Sequence, residues 1–223
     1  MEGTTETFGW LSLANLSPWV AIVKDILAAV AAGLAVWGLR AWRRDFIGKR
    51  RIELAEDALR LFYQARDAIT AMRAPTAFGS EMADVVRGEN ESSAKFHWRQ
   101  TVAPLFGRYN ERTEMFAQLA ALRYRFMARF GEKSAEPFVE IQTIVHRLFV
   151  SAHMLVQTAD ADDSPMPMDD AGDVLALARE RRRQERRKWE DDIWGVGGDD
   201  DKVAKDVDAI VARIEARCRP IIK

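Results

Sequence analysis

Apolar residues fill nearly every position from Trp19 to Trp42, interrupted only by Lys24, Asp25 and Arg40. Beyond that stretch they recur at steps of three and four to the end of the chain. The first pattern predicts a helix that is hydrophobic all round. The second predicts amphipathic helices, each with one face that needs a partner. No segment alternates with a period of two as a half-buried strand would.

Leu54, Ala58, Leu61, Ala65, Ala68 and Met72 form the first stripe, widened by Leu59, Phe62 and Ile69. Between Trp42 and Leu54 there is one glycine, Gly48, and no proline. The apolar helix is therefore expected to run straight into this one and to end near Arg73, before Pro75. Residues 74–94, with Pro75, Gly79 and Gly88, read as a loop. A helix over about 95–130, kinked at Pro104, carries Met115, Leu119, Leu122, Phe126 and Phe130. Gly131 suits its C-terminal end. Ser134 is expected to cap the next helix, which tolerates Pro137 in its first turn and buries Ile141, Val145, Leu148, Ala152 and Leu155. Residues 159–170 read as a second loop. A helix over about 171–192 looks apolar only at its start. A last stripe, Val203, Val207, Ile210, Ile214 and Cys218, follows Asp199-Asp200-Asp201, whose charge suits a helix N-terminus, and is closed by Pro220.

These patterns predict an all-α protein. Its expected parts are a short extracytoplasmic N-terminus (1–17), a transmembrane helix (18–42) and a cytoplasmic domain (43–223). The domain is expected to be an antiparallel bundle of four or five helices. Trp19 and Trp42 are 23 positions apart, roughly 34 Å at about 1.5 Å per residue, against a hydrocarbon core of about 30 Å. Trp19, Leu27, Val30, Leu34, Trp37 and Trp42 are the expected anchor residues, the tryptophans suiting the interface. Arg40, Arg43, Arg44, Lys49, Arg50 and Arg51 follow the apolar run, whereas Glu2 and Glu6 precede it. The positive-inside rule then puts the N-terminus outside and the C-terminus in the cytoplasm. Lys24 and Asp25 leave only 14 charge-free residues, Ile26 to Leu39, so an interfacial helix and a buried soluble helix stand beside the span as alternatives. Ala28, Ala31, Ala35 and Gly38 share one face and form a candidate span–span interface.

Charge changes this picture little. The chain has 223 residues, with 33 Lys and Arg against 34 Asp and Glu, for a net charge of −1. No overall field marks a nucleic-acid binder, and nucleic acid is not the expected partner. The single cysteine, Cys218, excludes an internal disulfide and reads as packing. Asn90-Glu91-Ser92 matches a glycosylation acceptor that would be silent in the cytoplasm. His146 and His153 lie two turns apart, too far to share one zinc, and His97 stands alone. No phosphate-binding loop is present; Gly195-Val196-Gly197-Gly198 reads as a linker. Catalytic residues, cofactor and metal are all expected to be none.

Two polar sets remain. Arg60, Tyr63, Arg66 and Asp67, with Arg73, form a candidate ligand groove or a set of interhelical ion pairs. Residues 179–188, RERRRQERRK, offer Arg181, Arg182, Arg186 and Arg187 for lipid or another anion. The other reading, a solvated face balanced by Asp169, Asp170, Asp173, Glu190, Asp191 and Asp192, is the one the charge pattern favours.

Trp42-Arg43-Arg44, Gly48-Lys49 and the run Glu53-Leu54-Ala55, Ala58-Leu59-Arg60, Tyr63, Arg66-Asp67-Ala68-Ile69 form an ordered pattern with Arg73 and Pro75. With Asp199 to Pro220, it resembles a group of uncharacterised bacterial proteins with one N-terminal span and a helical cytoplasmic domain. The resemblance implies that topology and no activity or site residue. The expected function is a membrane-anchored, non-enzymatic interaction protein whose partners are the bilayer, another protein and other copies of itself. The alternatives are a membrane-acting effector in stress or phage defence that oligomerises through its span, and a soluble bundle binding nucleic acid through 179–188.

Overall fold

The structure is a computed structural model and describes residues 17–76, 79–82, 84–161, 172–195 and 200–223. The extreme N-terminus, Asp169 and Asp170, and the Val196–Asp199 part of the expected linker lie outside the described residues, as does the side chain of Asp173. The described residues are all helix, turn and loop. α1 is Ser17–Met72, α2 Gly79–Met82, α3 Ser93–Asn110, α4 Thr113–Phe130, α5 Glu136–Gln157, α6 Gly172–Ile193 and α7 Lys202–Ile222.

The chain divides into two compact units, one ending at Arg50 and one from Arg51 to Lys223. In the first unit the described residues are one continuous stretch of helix. Every side chain from Ile22 to Arg40 is exposed, including Leu27, Val30, Leu34 and Trp37. Trp19 and Trp42 are about two-thirds exposed. Trp42 stacks on Phe46 at 5.7 Å, and the Arg50 guanidinium lies 5.5 Å from the Phe46 centroid. Among the described residues α1 is the one helix long and apolar enough to cross a membrane, by length and composition.

The second unit is built on the expected stripes. Leu54, Ala58, Leu61, Ala65, Ala68 and Met72 are all buried, as is every member of the stripes on α5 and α7. α5 is central and touches α3, α4, α6 and α7. Its Phe138, fully buried, meets Phe62 edge-on at 4.8 Å and Phe126 at 5.3 Å, so three helices share one aromatic contact.

Five local expectations are corrected. The helix over 95–130 is two helices, α3 and α4, which exceeds the four or five expected. The break falls at Glu111-Arg112 rather than at Pro104, which lies buried inside α3. Rings hold that corner: Tyr109 stacks on Phe116 across it at 5.1 Å and meets Phe149 at 4.8 Å. Ser134 does not cap α5. It sits in a 3₁₀ turn and donates its hydroxyl to the Gly131 and Phe126 carbonyls. The loop over 74–94 contains the single turn α2. α6, expected to be apolar only at its start, packs by its end: Ile193 is buried, whereas Leu177 is exposed. Pro220 does not close α7, which continues to Ile222.

Candidate functional site

α1 ends at Met72, and the next residue, Arg73, turns its side chain into the unit, where it is 3% exposed. Its Nη1 donates to both carboxylate oxygens of Asp201, at 2.8 and 2.9 Å. Nε donates to the Asp192 carbonyl at 2.7 Å, and Nη2 donates to the carbonyls of Asp191 and Trp194, each at 2.9 Å. Those carbonyls belong to the C-terminal end of α6, where the negative end of the helix dipole favours a cation. The Gly195 N–H donates to the Arg73 carbonyl at 2.7 Å, and a Cβ at Gly195 would lie 3.2 Å from that oxygen. Glycine permits this approach.

Asp201 does two jobs. Its Oδ1 also accepts the Ala204 N–H at 2.9 Å as the N-cap of α7. Burial alone would raise its pKa, but the Ala204 N–H and Arg73 outweigh it, so the carboxyl stays below its ordinary value. The pair thus joins the end of α1, the end of α6 and the start of α7.

Arg108 of α3 repeats the device at the end of α1. It pairs with Glu81 at 2.8 and 2.9 Å and donates to the carbonyls of Ala71, Ala74 and Thr76. Neither role was readable from spacing, because each arginine serves a helix other than its own.

Beside Arg73 lies an open cavity of about 310 Å³. Ile69, Ala204 and Val207 contribute its apolar lining, and Arg66, Thr70 and Asp208 add polar side chains. No family model, curated protein or solved structure matches this chain.

The candidate groove residues are dispersed. Arg66 lines the cavity, and its side chain also lies over the Tyr63 ring at 5.7 Å. Tyr63 reaches α7 instead and donates its hydroxyl to Glu215 Oε1 at 2.5 Å. That bond, then burial, raises the Tyr63 pKa. Arg60 stays along α1 with Asp57 and Gln64, and Asp67 is exposed beside Arg66. These residues act as interhelical and surface pairs, and do not gather as one groove.

The arginines of α6 divide between two faces. Arg186 lies over the Trp98 ring of α3 at 5.5 Å, a cation–π contact, with Arg182 one turn before it. Arg181 and Arg187 are exposed. Of the acids expected to balance them, Asp192 is engaged elsewhere. It accepts from Ser151 at 2.8 Å and pairs with Arg147 at 3.3 Å. Glu190 is half-buried, which raises its pKa.

His97, His146 and His153 are exposed. Among the described residues no three His, Cys, Asp or Glu side chains form a metal-binding group. Cys218 is fully buried, and burial pushes its thiol up to about 11. What the arrangement does chemically is hold helix ends together: its charged groups are spent on each other and on backbone carbonyls.

Proposed function

We propose that this chain is a membrane-anchored, non-enzymatic interaction protein of a bacterial inner membrane. The helix between Trp19 and Trp42 crosses the bilayer with its N-terminus outside. The unit from Arg51 onward, an antiparallel helical bundle, works in the cytoplasm. The carrying observation is the apolar run itself: from Ile22 to Arg40 no side chain is buried. Exposing so many large apolar side chains to water is unfavourable by roughly 25 cal/mol per Å². Exposing them to lipid is not. Arg43, Arg44, Lys49 and Arg50, all exposed at the end of that run, support the orientation. An anchor of this kind confines the bundle to a thin layer and raises its effective concentration for partners there.

Membrane fractionation tests the reading. The full chain should pellet with membranes and resist both carbonate and high salt, and a reporter fused after Lys223 should read cytoplasm. Extraction by carbonate would remove the span, and a periplasmic signal would reverse the topology.

A second reading, an effector that assembles through its span, draws support from the open small-residue face. Ala28, Ala31, Ala35 and Gly38 are exposed, and a Cβ at Gly38 would meet nothing within 4 Å. Such faces let helix backbones approach closely in lipid. Prompt depolarisation on controlled expression, abolished by Gly38→Leu, would favour the effector; tolerated expression would favour the scaffold.

A further inference from the structure

α6 carries two faces of different chemistry. On the inward one, Arg186, Trp189 and Ile193 follow each other at steps of three and four, with Ile193 buried and Arg186 over Trp98. On the outward one, Leu177, Arg181, Gln184 and Lys188 make a ridge at steps of four, three and four. Arg183 and Arg187 stand on the adjoining row. All six of these outward residues are exposed. Between 179 and 188 the sequence has seven basic residues and two acidic ones.

Two properties of this face narrow its partner. Its positive charge is spread along the helix and does not converge on one point, so it suits a laterally extended anionic surface. Its apolar member, Leu177, is 66% exposed at one end of the ridge, where water gives it nothing. A single-stranded nucleic acid would want aromatic rings interleaved with the cations, and the two rings beside this segment lie on its inward side, Trp98 under Arg186 and Trp189 packed against the core. A basic helix face with an apolar residue beside it is the chemistry of binding at a bilayer interface.

We propose that the outward face of α6 docks on anionic lipid headgroups, with Leu177 reaching the acyl boundary. The inference rests on the membrane-anchor reading for its setting, since an anchored chain holds α6 near a leaflet.

The test uses the full chain in nanodiscs of zwitterionic lipid, which cover its apolar helix. It is mixed with sedimentable vesicles of phosphatidylcholine, alone or with phosphatidylglycerol. Binding is expected on the phosphatidylglycerol vesicles only and should vanish in high salt. Replacing Arg181, Arg183, Arg187 and Lys188 by Gln should weaken it by about 100-fold or more. Arg181→Lys, Arg183→Lys and Arg187→Lys together should retain it, because diffuse charge does not need a guanidinium fork. Leu177→Asn should weaken it several-fold. Equal binding to neutral vesicles, no binding to either kind, undiminished binding by the Gln variant, or loss in the Lys variant would each overturn the proposal. Preference for a single-stranded RNA over the anionic vesicles would overturn it in favour of nucleic acid. A chain that the nanodiscs fail to retain refutes the anchor instead. The same vesicles then assay that chain directly, and the same outcomes decide for or against the α6 face.

Discussion

Arg73 and Asp201 stand 128 positions apart in the chain and meet as a buried ion pair, their side chains 3% and 4% exposed. Removing one partner leaves the other charged and dry. Arg73→Met should therefore cost about 3–5 kcal/mol in urea unfolding. Asp201→Asn keeps an oxygen for the Ala204 N–H, so it should cost less than Asp201→Ala by about 1 kcal/mol. Equal losses in the two Asp201 variants would show that the cap contributes nothing.

The same carboxyl sets a dependence on acid. Because its folded pKa lies below its ordinary value of 3.8, the folded state favours the ionised form. That stabilisation is present above pH 4 or so and is lost as pH falls through the lower folded value. The urea midpoint should drop in that window, and less steeply in Asp201→Asn. Tyr63 acts at the other end. Its pKa is raised, by Glu215 first and then by burial, so its contribution is full below its ordinary value of 10.0 and declines as pH rises beyond it. Tyr63→Phe should remove that alkaline decline and cost about 1 kcal/mol at neutral pH.

Core truncation separates the helix faces. Leu61 and Leu122 are 2% and 4% exposed, on α1 and α4. Each Leu→Ala change should cost roughly 2–5 kcal/mol, seen as a lower melting temperature. Leu177→Ala, on an exposed position, should change it little. An unchanged melting temperature in both core variants would mean that these faces are assigned wrongly.

Cys218 offers a probe that needs no substitution. A fully buried thiol pushed up to about 11 holds almost no thiolate at neutral pH. The native chain should resist a disulfide-exchange reagent and react promptly in denaturing urea. Rapid native labelling would place Cys218 at the surface.

The apolar stripes were legible because a helix buries what recurs at its own period. Leu54 to Met72, Ile141 to Leu155 and Val203 to Cys218 needed no other information. The break at Glu111-Arg112 was not legible, since neither residue is Gly or Pro and the corner is held by rings from α3, α4 and α5. The packing end of α6 was hidden by its charge: two tryptophans and an isoleucine close a segment whose composition reads as solvated. The candidate groove misled for a related reason. Arg60, Tyr63, Arg66 and Asp67 lie close in sequence, but neighbours on a helix point in different directions, and of the set only Arg66 and Arg73 line the cavity. Pairings such as Arg73 with Asp201 leave no local mark, because any of many acids was an eligible partner.

Arg108 stoppers the end of α1, and Arg73 stoppers the end of α6. A helix end closed by a residue from elsewhere exchanges water for that partner only once the chain around it has condensed. Contacts between residues so far apart in the chain are expected to form after the rate-limiting step of folding, so that their loss is felt on the way out. Arg73 or Arg108 variants should accelerate unfolding in proportion to the stability they lose and leave the refolding rate nearly unchanged. On that expectation the two arginines govern how long the folded unit survives, and the apolar stripes set its speed of assembly.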